Sequence, residues 1–202
     1  LVRHTHNGGI HSNAGYPRNT ITNNIIIDCG IGLHDSDSSG NRKGANTWMN
    51  NTCIRVNRGM KVDRNSIDRD FGVNTIKNNI FTSDDGTGDG IIYNPAADDT
   101  PGMANENYNC IYGFQDAVSR AGSTAGLQHT MGSNSIEVDP KLKPNCELTY
   151  DSPCRGTGTI PVDEFDYDNT PRTTKAHDMG ARWSVSQKDS MVSRILSSGG
   201  AT

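Results

Sequence analysis

Basic side chains recur at one position after a repeated glycine. His11, His34 and Lys61 each stand two residues after a glycine and directly after an apolar residue, and Ile92 takes this place in a fourth copy. Side chains alternate between faces along a β-strand, so the apolar residue is predicted to point inward and the basic residue outward. Strands stacked about 4.8 Å apart would align the basic groups as a small cationic column. Imidazole and amino groups serve as Brønsted bases and as stabilising cations in proton abstraction.

Two acidic stretches have the composition of calcium-binding loops. Asp84, Asp85 and Asp89 lie among glycines and could offer carboxylate and carbonyl oxygens to Ca²⁺. Residues 35–41 are similar to the start of a calcium loop, although Asn46 stands where such a loop has Glu. Aspartate and glycine also cluster in ordinary turns, so a turn without metal is the alternative for both stretches.

Two further pairs of residues have a spacing that chemistry could use. His4 and His6 would share a face of an extended segment and could bind a metal ion, but the sequence places no third ligand. Surface histidines without a metal are the alternative. Asp35 and Asp63 on successive coils could supply the paired carboxylates of a glycosidase, which lie roughly 5 to 10 Å apart across the sugar.

A repeated hexapeptide sets the period of the chain that must position these groups. The pattern Asn-Thr-apolar-x-Asn-Asn begins at Asn19, Asn46 and Asn74, so its spacing is 46−19 = 27 and 74−46 = 28 residues, and a weaker copy lies at residues 105–109. Each repeat contains two short apolar runs between Gly, Asn, Asp and Ser, which predicts strands and turns. The period therefore predicts an all-β fold, a parallel β-helix with coils of about 27–30 residues.

The repeated asparagines have a structural role in such a coil. Asparagine tolerates the left-handed backbone of a tight bend, and its amide can bond to the equivalent amide of the next coil. Asn24, Asn51, Asn79 and Asn109 are predicted to form this ladder at one corner.

Composition agrees with a solenoid and excludes two classes of partner. Only 32% of the 202 residues are hydrophobic and 6% are aromatic, as expected when the core is a thin column. The net charge is −4 and no Lys/Arg stripe could follow a phosphate backbone, so nucleic acid is not an expected partner. No apolar run approaches the roughly 20 residues that span a bilayer.

The chain divides into a single β-helix domain, residues 1–183, and a tail, residues 184–202. Within the domain we predict repeating coils at 7–114, a loop excursion at 115–134 and a loop-rich closing segment, or C-terminal cap, at 135–183. The tail has apolar residues at helical spacing and is predicted to form a short helix that leads into a disordered end. Because the first residues already look like part of a coil, we expect a further N-terminal portion or end-to-end self-association to cover that end.

Five cysteines leave at least one without a partner in the chain. Cys146 and Cys154 lie eight residues apart in a Pro-containing loop, and a disulfide between them is as well supported as two free thiols. Cys29, Cys53 and Cys110 fall in or beside apolar runs and are predicted to be small buried hydrophobic residues.

The closing segment contains four motifs that follow one another in a characteristic order. They are Asp139-Pro140-Lys141-Leu142, Leu148 to Gly158 with its Ser152-Pro153-Cys154, Asp166-Tyr167-Asp168-Asn169-Thr170-Pro171-Arg172, and Asp178-Met179-Gly180-Ala181-Arg182-Trp183. Together with the Asn-Thr coils they resemble bacterial right-handed parallel β-helix proteins of the pectate-lyase-like superfamily. Leu142, Cys154 and Asn169 depart from the usual aromatic residue, small residue and glycine. The resemblance covers most of residues 7–183.

This resemblance implies a secreted or periplasmic, carbohydrate-active protein that cleaves an acidic polysaccharide by β-elimination, with glycoside hydrolysis as a variant. It implies Lys61 as the base, supported by His34, His11 and one of Arg58 or Arg55, with a cation or Ca²⁺ to neutralise a uronate carboxylate.

The substrate contacts in this interpretation are Asp35, Asp63 and Tyr93. The alternatives are solvated surface side chains without a chemical role, a non-catalytic glycan-binding or structural module, and a fragment that lacks a complete active site. The architecture hosts all of these functions.

Overall fold

The computed structural model describes residues 1–3, 8–13, 19–37, 45–64, 74–94, 104–121, 131–161, 163, 165–172 and 177–182. His4 and His6, most of the acidic stretch at 35–41 and the predicted C-terminal helix lie outside these ranges. Within the described part of the chain, no helix has the length and apolar character that crossing a bilayer requires.

The described residues form fourteen β-strands, most of them short. They are β1 (Val2–Arg3), β2 (Ile10–Asn13), β3 (Thr20–Thr22), β4 (Ile25–Ile27), β5 (Ile31–Asp37), β6 (Thr47–Met49), β7 (Thr52–Ile54), β8 (Arg58–Arg64), β9 (Asn74–Lys77), β10 (Ile80–Thr82), β11 (Asp89–Asn94), β12 (Ala104–Asn107), β13 (Cys110–Tyr112) and β14 (Asp116–Arg120).

Every third strand belongs to the same parallel sheet. Sheet A has the order β1-β4-β7-β10-β13, sheet B the order β14-β11-β8-β5-β2, and sheet C the order β12-β9-β6-β3. All strand pairs are parallel and their registers follow the sequence repeat. A single bridge between Cys110 and Ile136 extends sheet A by one position. The predicted all-β, parallel β-solenoid is therefore confirmed.

The core is a column of apolar side chains that the three sheets point inward. Sheet B contributes Leu33, Met60 and Ile91, which stand directly before the basic column and are 0% exposed. Sheets A and C complete the column with Ile26, Cys53, Phe81, Ile111, Trp48 and Ile76. The prediction that the apolar residue after each repeated glycine points inward is thus confirmed.

The repeated glycines stand where sheet B approaches sheet A most closely. A Cβ atom on Gly32 would lie 2.7 Å from the sulfur of Cys53, and one on Gly59 would lie 2.7 Å from the side chain of Phe81. Real Cβ atoms do not come so near to other atoms, so any larger residue would push the two sheets apart. This close approach explains why a glycine precedes each inward apolar residue.

The predicted asparagine ladder is confirmed. The side-chain amide of Asn24 donates to Oδ1 of Asn51, Asn51 donates to Asn79, and Asn79 donates to Asn109, each over 3.0 Å. The backbone N–H of each donor residue bonds to the same oxygen over 2.9–3.1 Å. At the last position the N–H of Asn109 donates to Oγ of Ser135, which closes the ladder.

The residue before each ladder position takes the left-handed backbone. Asn23, Asn50 and Asn78 have φ of 58°, 56° and 56°, and Tyr108 takes the same place with φ of 57°. The sequence analysis gave both the bend and the ladder to one asparagine. The structure divides them, because the first Asn of each pair turns the chain and the second bonds along the stack.

The first asparagine of each repeat forms a second ladder. The N–H of Asn19 donates to Oδ1 of Asn46 over 3.0 Å, and the N–H of Asn46 donates to Oδ1 of Asn74 over 2.9 Å. The sequence analysis missed this ladder, although its asparagines recur with the same spacing as the first. Ala104 pairs with Asn74 and ends it.

The C-terminal segment, by which we mean residues 139–161, 163, 165–172 and 177–182, runs along the side of the solenoid. The amide of Asn78 donates to O of Thr159 over 2.7 Å, the N–H of Gly180 donates to O of Asn78 over 2.6 Å, and the amide of Asn23 donates to O of Phe165 over 2.8 Å. The left-handed asparagines therefore hold the predicted closing segment against several coils.

This segment buries the apolar outer face of sheet A. Cys146 and Ala181 pack on Ile25 and Ile27, whereas Cys154 packs on Ile80 in a separate cluster. All five cysteines are free and buried, so the disulfide considered between Cys146 and Cys154 is not formed. The two thiols cannot meet because they fill different clusters. The prediction that Cys29, Cys53 and Cys110 are buried is confirmed.

The loop excursion expected at 115–134 begins later than its sequence suggests. Asp116–Arg120 forms β14, which pairs with β11 through Ile91 and Val118. Only one of its five residues is β-branched, so pairing with a neighbouring strand overrides its weak strand propensity.

Loss of one ladder amide should destabilise the whole stack. We expect Asn51→Ala to lower the free energy of unfolding by about 3 kcal/mol, because two donors of Asn24 lose their acceptor and each buried group left unpaired costs about 1–3 kcal/mol. Chemical denaturation followed by circular dichroism measures this. Asn57→Ala removes an exposed amide from the same coil and should change the value by less than about 0.5 kcal/mol. Equal effects of the two variants would contradict the role of the ladder.

Candidate functional site

The basic column lies on the outer face of sheet B. His11 pairs with His34, His34 with Lys61, and Lys61 with Ile92 across β2, β5, β8 and β11. The column follows from the parallel register, because a constant repeat places equivalent residues beside one another. We call this column, with Ser36, Asp63 and Asn94 two residues further along the same strands, the sheet B face.

Asp63 connects the side chains of the sheet B face. Its Oδ2 lies 2.7 Å from Nε2 of His34 and 2.7 Å from Nζ of Lys61. Its Oδ1 accepts from the amide of Asn94 over 3.0 Å. One carboxylate therefore fixes three neighbours that come from three successive coils.

The environment of Asp63 favours its ionised form. Burial alone would raise the pKa of this carboxyl, but hydrogen bonds from Lys61, His34 and Asn94 outweigh the burial and hold the pKa below its usual value. The side chain is only 12% exposed. The carboxylate is therefore a fixed negative charge that is already shared among its donors.

The two histidines form a stacked pair. Their ring centroids are 4.4 Å apart with an interplanar angle of 9°, and Nε2 of His11 lies 2.7 Å from Oγ of Ser36. Burial and the neighbouring His34 lower the pKa of His11, against the opposing attraction of Asp35 and Asp63. His11 is therefore a neutral imidazole near pH 7, which is the form that accepts a proton.

The contacts separate the roles that the sequence analysis gave to Lys61 and His11. The amino group of Lys61 is paired with the carboxylate of Asp63 over 2.7 Å, and this pairing suits charge neutralisation rather than proton abstraction. The neutral imidazole of His11 is better suited to be the base.

Of the two arginines considered, only Arg58 belongs to sheet B. Its Nε lies 3.8 Å from Oδ2 of Asp89, and its side chain is 46% exposed. Arg55 follows β7 with φ of 52° and binds Asp28 through two contacts of 2.5 Å and 2.8 Å. The structure therefore places Arg55 away from His34 and Lys61.

Asp35 and Tyr93 point into the solenoid. Asp35 is 1% exposed, and its oxygens accept from the amides of Asn46 and Asn74 over 3.0 Å and 2.5 Å. Tyr93 is 2% exposed and belongs to the core. The predicted substrate contacts through these two residues are therefore not formed on the sheet B face.

The pair of carboxylates considered for a glycosidase is also not formed, because Asp35 and Asp63 lie on opposite faces of the sheet. Strand alternation is the reason, since Asp35 directly follows the outward His34 whereas Asp63 stands two residues after the outward Lys61.

The acidic stretch at 84–89 forms a turn. Oδ1 of Asp85 accepts from Oγ of Ser83 over 2.7 Å and from the N–H of Thr87 over 3.0 Å, and these bonds, that of Thr87 first, lower the pKa of Asp85. Asp89 points to Arg58 on sheet B instead. Among the described residues no group of three His, Cys, Asp or Glu side chains could hold a metal ion, so Asp84, Asp85 and Asp89 do not come together as the predicted Ca²⁺ site.

Ser36 and Asn94 are the members of the sheet B face that the sequence analysis did not select. Both stand two residues after a column position, so strand alternation places them on the same side as His34 and Ile92. That spacing is the sequence signal that would have identified them.

A comparison of the chain with protein-family models, with curated proteins and with solved structures finds no match to any of them.

Asp63 should make folding stability depend on pH in the acid range. The pKa of Asp63 is lower in the folded protein than in the unfolded chain, where it is about 3.9. The contribution of Asp63 to the free energy of unfolding is therefore fully present above about pH 3.9 and is lost as the pH falls through the folded pKa. We expect Asp63→Asn to lower the free energy of unfolding at pH 7 by about 1–2 kcal/mol and to flatten this acid dependence. Denaturation at a series of pH values measures both effects. Asp116→Asn, an exposed change on the same sheet, should leave the profile unaltered.

Proposed function

We propose that the protein is a carbohydrate-active β-solenoid, related to the pectate-lyase-like superfamily, which binds an acidic polysaccharide along the sheet B face and cleaves it by β-elimination. The observation that carries the proposal is the contact network of His11, His34, Lys61 and Asp63 on the outer face of sheet B. It combines a neutral base, a fixed cation and an orienting carboxylate within three coils. Such a substrate places the protein in the periplasm or outside the cell.

Each group has a place in the elimination. The imidazole of His11 removes the proton α to the uronate carboxylate, and the ammonium of Lys61 neutralises that carboxylate as the enolate forms. The electron pair of the broken C–H bond then forms the ring double bond, and the glycosidic C–O bond in the β position breaks. The leaving oxygen takes a proton from water and becomes the new chain end, and the hydroxide so formed receives the proton that the imidazolium of His11 releases.

His34 positions the two reactive groups. Its ring stacks on His11, and its Nε2 is tied to the carboxylate that also holds Lys61. Asp63 shares its charge between these donors, which reduces its repulsion of an anionic substrate. Ser36 and Asn94 add a hydroxyl and an amide at the edge of the column, where sugar hydroxyl groups would bind.

A non-catalytic glycan-binding module is the second candidate, and two observations favour it. Two cations that sheet B presents are paired, Lys61 with Asp63 and Arg58 with Asp89, so the sheet does not form a contiguous basic cleft. Sheet C presents Thr20, Thr47, Thr75 and Asn105 in register as a row of hydroxyl and amide groups. Such a row suits the hydroxyl groups of a neutral glycan.

Stacking of another coil on the strand edges of β1, β2 and β3 stays part of the proposal. The first ladder donates from Asn24 toward Asn109, so a stacked coil at this end would have to donate to Asn24. Ser135 closes the opposite end by donating to Glu106 over 2.5 Å. Head-to-tail self-association would need both ends of the ladder to be open, whereas here Ser135 occupies one of them. The ladder therefore favours a different coil stacked beside Asn24, and the mass of the particle in solution would distinguish this from a chain of identical copies.

The lyase proposal is tested by following the ultraviolet absorbance of the unsaturated product during incubation with a panel of uronate polymers, with Ca²⁺ and with a chelator. We expect a rise that Lys61→Ala or His11→Ala reduces by about 10²-fold or more, the usual loss when one stabilising or proton-transferring group is removed. Lys77→Gln on sheet C is the matched control and should retain activity. No rise on any substrate with folded protein that still binds glycan would favour the second candidate.

The pH profile distinguishes His11 from Lys61 as the base. With His11 as base, the acid limb of kcat/KM should lie below the ordinary histidine value of about 6.5, because burial and His34 lower the pKa of His11. His34→Gln removes one of these causes and should shift the acid limb to higher pH. An acid limb that His34→Gln leaves in place would contradict His11 as the base.

A further inference from the structure

A pocket of about 470 Å³ lies on the outer side of sheet A, where the C-terminal segment crosses it. Its charged lining comes from Arg3, Arg55 and Lys143, and its apolar lining includes Ile27, Ile54 and Leu142. The volume falls within the range of about 300–1,000 Å³ that small-molecule sites have. Apolar walls with a few converging charged groups are also the usual composition of such sites.

The coil supplies one wall of the pocket through strand register. Arg3 pairs with Ile27, and Ile27 pairs with Ile54, so the three residues lie side by side at the ends of β1, β4 and β7. Lys143 faces them from the C-terminal segment, and Cys146 holds that segment to Ile27. The pocket therefore exists only because the C-terminal segment lies along sheet A.

The charges in the pocket are not fully compensated. Arg55 is paired with Asp28, and Nζ of Lys143 lies 3.3 Å from Glu147. Arg3 has no acidic partner among the described residues, and its side chain is exposed. One guanidinium is therefore available for a ligand, beside two further cations.

The surroundings of the Cys146 thiol show the same excess of positive charge. Burial raises the pKa of Cys146 most strongly, whereas Arg182, Arg3 and Arg55 each act to lower it. Three guanidinium groups thus lie within electrostatic reach of one atom of the pocket wall.

We propose that this pocket binds a small organic carboxylate, for which a sugar acid serves as the probe. The fork of Arg3 receives the carboxylate, Lys143 adds a second cation, and Ile27, Ile54 and Leu142 contact the body of the ligand. The site lies on sheet A, apart from the sheet B face, and the inference rests on its own residues rather than on the proposed lyase activity.

Isothermal titration calorimetry with glucuronate, and with uncharged glucose as the matched ligand, tests the proposal. We expect glucuronate to bind more tightly than glucose, and Arg3→Gln to weaken the binding of glucuronate by about tenfold or more, which corresponds to the loss of one charge-assisted bond. Lys77→Gln, which removes a charge from sheet C, should leave the affinity unchanged. Higher salt should weaken binding, because the site is near the surface.

A Lys61→Ala variant separates this site from the sheet B face. Under the proposal it retains the affinity for glucuronate that the unaltered protein shows in calorimetry. Unchanged affinity in Arg3→Gln, equal affinity for glucose, or loss of binding in Lys61→Ala would each overturn the assignment to this pocket.

Discussion

The structure depends on polar groups that must find a partner inside a stack of short strands. Where the chain bends from sheet C to sheet A, an asparagine amide faces the next coil, and Asn51, Asn79 and Asn109 each accept from the ladder asparagine of the coil before. An unpaired amide in this position would cost about 1–3 kcal/mol, so the ladder holds the coils at one register. Every column of side chains on the three sheets inherits that register.

The same bend determines which side of the solenoid is covered. Asn23 and Asn78 point outward from their left-handed positions and bond to the C-terminal segment, which then buries the apolar face of sheet A. Sheet B has the opposite character, since polar and charged side chains occupy most of its outward positions, with Ile92 as the exception. The covering of one sheet produces the pocket beside Arg3, and the other sheet carries the cluster around Asp63.

The cluster on sheet B illustrates how a solenoid builds a site from residues distant in sequence. His34, Lys61 and Asn94 come from three coils, and a single carboxylate brings them together because parallel strands place them within hydrogen-bond distance. The cluster therefore gives Lys61 and His11 different roles in the proposed chemistry. Asp63 pairs with Lys61 and fixes its position, while burial and the neighbouring His34 lower the pKa of His11.

The sequence by itself determined whatever repeats with the period of the coil. The Asn-Thr hexapeptide and the glycine-led runs predicted the parallel solenoid, the ladder through Asn51, and the column of His11, His34 and Lys61. Strand alternation also implies that Asp35 and Tyr93 point inward, because each directly follows an outward residue of the column. These features could be predicted because a constant period converts sequence spacing directly into neighbourhood across strands.

Only the tertiary structure decided the contacts between segments that do not share the period. The tertiary structure separates Arg55 from Arg58 and places Cys146 and Cys154 in different clusters. It also places the C-terminal segment along sheet A. It also selected Asp63 as the common partner of His34 and Lys61. The path of an irregular segment depends on which apolar face it can bury, and the bonds of a side chain depend on every group within reach. Neither is encoded in the spacing of residues along the chain.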